Sequence, residues 1–376
     1  MNIEPFKLER YFEQYEFTAP YLLCSSDCES FSVRQIFDLE PESAARFEEL
    51  WLGYTETQGS PELRAEITGL YRNIGAEQIL VHAGAEEAIF NFVNAVLSPN
   101  DHVIVHFPCY QSLASVAQAA GCQVTLWPTR EADGWKLDLD FLRDNLQPNT
   151  RAVIVNTPHN PTGYLMSRAD QQALVEIARA HNLILFFDEV YRGMELDPAD
   201  RLPAVCDVYE NGVSLGVMSK TYGLAGLRIG WIATQNAEIY RALAAFKDYT
   251  TICNSAPSEF LATLALRHRE QIVARNLDII RHNLSILNPF FTRHADKFRW
   301  TPPAAGSIAF PRLTLNTPIE DFCAGLVEQQ GVLLLPAKYY DFDGNHFRIG
   351  FGRKNMPQAV ERLEAYLHNE LPTLPL

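Results

Sequence analysis

Between about residues 76 and 235, short runs of apolar and β-branched residues alternate with segments whose apolar positions recur every three or four residues. That is the pattern of strands and amphipathic helices taking turns. Strands are predicted at 79–82 (IleLeuValHis), 102–106, 123–127, 151–156, 183–188, 213–219 and 228–233, and helices over Glu86 to Leu97 and Ala169 to His181. Several strands are apolar at nearly every position, so both of their faces are expected to be covered. The alternation predicts an α/β fold: a mostly parallel seven-stranded sheet flanked by helices. A less regular stretch opens the chain. Beyond about residue 255, long helical patterns precede three short strand candidates, at 307–310 (SerIleAlaPhe), 332–335 (ValLeuLeuLeu) and 347–351 (PheArgIleGlyPhe). A smaller α+β domain built from both chain ends is expected. The division is then an N-terminal arm at 1–45, a large domain at 46–255 and a small C-terminal domain at 256–376.

Charge narrows the classes of function. With a formal charge of -15 and no visible cluster of Lys and Arg, the chain does not read as a nucleic-acid binder. The opening residues lack a cationic stretch followed by an apolar core, and no apolar run reaches membrane-spanning length, so a cytoplasmic protein with no membrane partner is expected. Seven scattered cysteines, an odd count, read as reduced thiols. Cys24 and Cys28 form the only close pair, and no second pair or His motif completes a zinc site, so no metal is expected.

In a helix-covered sheet, ligands collect beyond the carboxyl ends of the strands. Four predicted strand ends carry polar residues the strands do not need: 82–87 (HisAlaGlyAlaGluGlu), 156–163 (AsnThrProHisAsnProThrGly), 188–191 (AspGluValTyr) and 219–223 (SerLysThrTyrGly). Asp188 closes a strongly apolar strand, where a carboxylate is costly unless a cation or proton donor awaits it. An apolar strand ending in AspGlu also resembles the magnesium-binding strand of nucleotide hydrolases, but the GxxxxGK[ST] loop which that reading needs is missing. Lys220 follows another strand, where a desolvated amine becomes a usable nucleophile. A lysine, a carboxylate, the Tyr191 phenol and Arg228 converging on strand ends suit a phosphorylated pyridine aldehyde.

These motifs together resemble the class I/II aminotransferases of the fold-type I pyridoxal phosphate enzymes. AsnProThrGly at 160–163, AspGluValTyr at 188–191, SerLysThrTyrGlyLeuAlaGlyLeuArgIleGly at 219–230 and PheArgIleGlyPhe at 347–351 stand in the family's order over nearly the whole length. The resemblance implies pyridoxal 5'-phosphate held as a Schiff base on Lys220, which also serves as the base at the substrate α-carbon. It implies Asp188 against the pyridine nitrogen, Asn160 and Tyr191 at the ring hydroxyl oxygen, and Tyr110 stacked on the ring. The phosphate would meet the helix start at Gly84, Ala85 and Glu86, together with Ser219 and Arg228. Val217 stands where many relatives carry a phosphate-binding Ser or Thr. Arg348 resembles the clamp for a substrate carboxylate. Tyr54 resembles the tyrosine that crosses to a neighbouring subunit's phosphate, which implies a homodimer with shared sites. The implied small-molecule partners are an amino acid and a 2-oxo acid, exchanging an amino group.

Relatives usually have a Gly-containing segment near the N-terminus that closes over the substrate; here it reads LeuCysSerSerAspCysGluSerPheSerValArgGln at 23–35. With LysAspTyrThrThr at 247–251, this resembles a branch of the family that cyclises a hydroxylated arginine instead of transaminating it. Elimination, replacement or cyclisation at the β-carbon is therefore the alternative to transamination. Asp27 and Glu29 then meet a cationic side chain, or else they cap a helix. A third class, an effector-sensing regulator of the same fold, requires a DNA-binding module, and no basic helix-turn-helix segment fits ahead of Tyr54.

Overall fold

The predicted alternation resolves into one seven-stranded sheet in the computed structural model, which describes residues 2–370. Its strands are β1 (Ile79–His82), β2 (His102–Phe107), β3 (Gln123–Pro128), β4 (Thr150–Asn156), β5 (Ile184–Asp188), β6 (Gly212–Val217) and β7 (Gly230–Thr234), in the order β1-β7-β6-β5-β4-β2-β3. Only β7 runs against its neighbours, β1 and β6; the pairs from β6 to β3 are parallel.

Because successive side chains of a strand face opposite ways, adjacent residues of β5 serve different cores. Phe186 packs with Ile89, Phe92 and Val93 of the helix Ala85–Val96, its ring 4.5 Å from that of Phe92. Phe187 packs on the other face with Leu174, Val175 and Ala178 of the helix Arg168–Ala180. That double cover is why β5, β6 and β7 are buried throughout.

The two chain ends meet. β8 (Phe298–Arg299) pairs with β10 (Arg312–Leu313), while β11 (Leu335–Pro336), β12 (Phe347–Gly350) and β9 (Ile308–Ala309) form a second small antiparallel sheet. Against these lies the N-terminal segment: Gly350 N donates to Leu23 O at 2.7 Å and Leu333 N to Tyr21 O at 2.9 Å. A Cβ at Gly350 would collide with the Ser25 carbonyl, so glycine lets the segment lie directly on β12.

Three local expectations change. The opening stretch is helical over Lys7–Tyr15, with Leu8 and Tyr11 buried and the Tyr11 hydroxyl donating to Leu334 O at 2.8 Å. The strand expected at 213–219 ends at Val217, although the Met218 N bond to Ile229 O extends its pairing with β7 by one residue. The run at 332–335 contributes strand only at Leu335, Val332 being bridged instead to Tyr21. Six cysteines are buried, Cys253 is half-buried, and none is in a disulfide. Among the described residues, no helix is long and apolar enough to cross a membrane.

Candidate active site

A cavity of about 410 Å³ opens beyond the carboxyl ends of β4, β5 and β6, beside the start of the helix Ala85–Val96. Ala85, Glu86, Tyr110, Asn160, Asp188, Tyr191, Ser219, Lys220, Arg228 and Arg348 all share its wall. Tyr54 does not; it stands 84% exposed on the surface.

Asp188 is the last residue of β5, in register with Asn156 of β4 and Leu215 of β6. Its backbone oxygen accepts from Asn156 Nδ2 at 2.9 Å and Thr157 N at 3.0 Å, and its Oδ1 accepts from Val190 N at 3.2 Å. Burial pushes its pKa up to about 7, against the pull of the Val190 amide and the Lys220 amine. Lys220 lies just past β6, and its amine donates to Ser26 Oγ at 2.8 Å. Burial lowers its pKa, with Asp27 opposing and Arg348 reinforcing the fall. The buried Tyr191 hydroxyl makes no well-aligned hydrogen bond among the described residues, although the Ser26 hydroxyl is close enough to favour its ionised form.

Arg348, on β12, is 2% exposed. Its Nε donates to Cys24 O at 2.9 Å, and its Nη1 to Tyr340 Oη at 2.6 Å and Asn160 Oδ1 at 3.4 Å. Tyr340 in turn donates to Asn160 Oδ1 at 2.9 Å. Nη2 has no partner among the described residues, which leaves an oriented N–H edge for an anion.

Gly84 caps the helix Ala85–Val96 at φ 90°, and a Cβ there would sit 2.5 Å from Arg228 Nη2. The Arg228 guanidinium is therefore packed against the glycine at the helix N-terminus, and a cation beside free backbone N–H groups suits an anion. Ser219 adds a hydroxyl, and Val217, also in the wall, adds none. The Glu86 carboxyl turns toward the Ser112 hydroxyl, and burial raises its pKa.

Sequence reasoning missed one wall. Leu8, Glu9, Phe12 and Glu16 of the first helix and its end line the cavity, as do Ser25, Ser26 and Asp27. The spacing 8, 9, 12, 16 is helical, a signal that was present in the opening stretch. Asp27 reaches the cavity but is held by Arg353, at 2.8 and 3.0 Å. Glu29 is outside the cavity lining, its Oε2 accepting from Lys354 N at 3.0 Å. Neither caps a helix; Ser32 caps the next one, Val33–Phe37.

The sequence pattern of the family described as aminotransferase class I and II matches residues 21–363. The chain belongs to that family. Among its relatives, capreomycidine synthase of Streptomyces vinaceus is 29% identical over 374 residues, 99% of this chain and 93% of that one. A PLP-dependent aminotransferase from Streptococcus suis superposes with a TM-score of 0.92 at 33% identity, covering 98% of both chains. The PLP-dependent cyclase OrfR superposes at 0.89 with 31% identity, again over 98% of both. The cofactor is pyridoxal 5'-phosphate. The cavity fits it: Arg228 packed at the helix N-terminus by Gly84, a buried phenol at Tyr191 with no well-aligned hydrogen bond among the described residues, and a buried carboxyl at Asp188 whose pKa is pushed up to about 7.

Proposed function

We propose that this member of the family is an aminotransferase that moves an amino group from an amino acid to a 2-oxo acid. The observation that carries the reading is the meeting of Lys220, Asp188 and Arg348 on one cavity wall. When bound, pyridoxal 5'-phosphate supplies an electron sink for the pair left at the α-carbon. Lys220 is the residue that would hold it covalently, and its burial-weakened amine is suited to take the α-proton on Nζ and return it. Asp188 would face the pyridine nitrogen, and a carboxyl with a pKa near 7 loses its proton readily to a buried site that gains a cation. Asn160 and Tyr191 would receive the ring hydroxyl oxygen, Tyr110 would stack, and Gly84, Ala85, Glu86, Ser219 and Arg228 would hold the phosphate. Arg348 would grip the substrate carboxylate through its open edge.

A second reading, chemistry at the β-carbon ending in elimination, replacement or ring closure, is favoured by the acidic mouth. Glu9 and Glu16 face the cavity from one side of the first helix, and among the described residues neither has a hydrogen bond or ion pair to another side chain. Burial raises the pKa of Glu16, and Glu9 and Asp27 add to the rise. Such a mouth suits a cationic substrate side chain, in keeping with the likeness to capreomycidine synthase and a cyclase. We further propose a cytoplasmic homodimer, with Tyr54 reaching the partner's phosphate; Trp51, Leu52, Tyr249 and Ile252 are exposed large residues of the kind an interface covers.

Borohydride reduction followed by peptide mapping tests the covalent assignment: label is expected on Lys220, and label on another lysine or on none rejects it. Incubation with amino donors, basic ones included, then separates the readings. A pyridoxamine form with a keto acid marks transfer, whereas a released β-substituent or a ring-closed product marks the second.

A further inference from the structure

We propose that Ser26 is a positioning residue for Lys220: its hydroxyl receives the Lys220 amine whenever that amine is not covalently engaged. The proposal depends on the reading of Lys220 given above. Ser26 belongs to the N-terminal segment that departs from the family's usual glycine, and it lies 194 residues from Lys220 in sequence. The Lys220 Nζ to Ser26 Oγ hydrogen bond, at 2.8 Å, is the amine's one hydrogen bond to the protein among the described residues.

The choice of side chain matters. A base must hold a proton at one moment and lack it at the next, so its neighbour has to serve both states. A hydroxyl does so: it accepts from the ammonium and donates to the neutral amine. A carboxylate in the same place would trap the ammonium, and alanine would leave the amine unsupported. The adjacent carboxylate, Asp27, is already committed to Arg353.

The hydroxyl is also held in place. The Ser26 carbonyl accepts from Ser307 Oγ at 2.7 Å, Glu29 N donates to Gly352 O at 2.8 Å, and Gly350 N donates to Leu23 O at 2.7 Å. The segment is thereby strapped to β12, the strand that carries Arg348, and to the residues that flank β12 and β9, and Arg348 Nε returns the tie through Cys24 O. The resting place of the amine and the guanidinium fork thus belong to one piece of structure, so a carboxylate seated on the fork is registered to the amine.

The test compares Ser26→Ala and Ser26→Thr with the unaltered chain. After removal of the cofactor, the rate at which pyridoxal 5'-phosphate is recaptured is followed against pH by its visible band. That rate tracks the neutral fraction of the amine. Because its bond to the charged ammonium is stronger than its bond to the neutral amine, loss of the hydroxyl is expected to move the midpoint of the Ser26→Ala profile down by roughly one pH unit. In the loaded enzyme, kcat is expected to fall about tenfold or more, with KM for the amino acid within about twofold, because the base and not the substrate has lost its support. Ser26→Thr is expected to restore both. An unmoved midpoint in Ser26→Ala, or a threonine variant that behaves like alanine, overturns the proposal. If Lys220 in the unaltered chain takes no borohydride label, the covalent reading itself fails; label on Lys220 with an unmoved midpoint rejects Ser26 alone.

Discussion

Replacing Asp188 by asparagine keeps the shape of the side chain and removes its charge, so the two chains differ by the cost of ionising one buried carboxyl. Asp188 is 5% exposed, and burial is the chief reason its pKa rises from 3.8 to about 7. A carboxyl with a higher pKa in the folded chain than in the unfolded one contributes its full stability below about pH 3.8. That contribution is lost as pH climbs through about 7. Roughly three pH units at about 1.4 kcal/mol each put the loss near 4 kcal/mol by pH 8 in the cofactor-free chain. Glu189 and Glu259, also raised to about 7 chiefly by burial, titrate in the same window in both chains and cancel in the difference. Urea unfolding at fixed pH steps is the assay. Cofactor-free Asp188→Asn should match the parent near pH 4 and exceed it by about 3–4 kcal/mol at pH 8. With pyridoxal 5'-phosphate bound the order should reverse, because the ionised carboxylate then faces a protonated ring nitrogen. A difference that stays flat from pH 4 to 8, or that runs the other way in the cofactor-free chain, would refute the reasoning.

Gly84→Ala forces a Cβ onto Arg228 at a φ of 90°, so a stability loss of about 1–3 kcal/mol, read by thermal unfolding, should accompany weaker cofactor retention on dialysis. Arg348→Lys removes the planar fork and its bonds to Cys24, Tyr340 and Asn160; kcat/KM for the amino acid should drop about 100-fold or more in steady-state assays, and an unchanged value would remove Arg348 from substrate binding. Glu16→Gln should narrow the preference for basic over neutral amino acids by about 3–10-fold, a modest figure because the carboxyl is partly solvated. An unaltered preference in a competition assay counts against the acidic mouth as a specificity element.

The strands of the large sheet were legible because each is a short apolar run covered on both faces, and local pattern reports burial directly. β1 appears where it was expected, at Ile79–His82, and β5 begins one residue late but ends on the expected Asp188. The first helix was not legible as a site element. Its apolar positions alternate with Glu9, Glu13 and Glu16, so the stretch reads as a solvated surface until the docking of Tyr11 on Leu334 reveals which face turns inward. Glu29 shows the converse failure. An acid two positions from Asp27 looked equivalent to it, but the chain's path along β12 sends Asp27 to the cavity rim and Glu29 to the Lys354 amide.

By itself the sequence determined the order of strands and helices, the cofactor-binding motifs at the strand ends and the family they mark, since each is written in neighbouring residues. The tertiary structure alone decided that Ser26 meets Lys220, that Tyr340 and Asn160 steady Arg348, and that the first helix and its end turn Glu9 and Glu16 toward the cavity. The physical reason is sequence separation. Apart from the bond between Tyr340 and Arg348, these contacts join residues far apart along the chain, through the order of strands in the sheet and the packing of the N-terminal segment on β12, and no local periodicity encodes which distant partners that packing brings within hydrogen-bond reach.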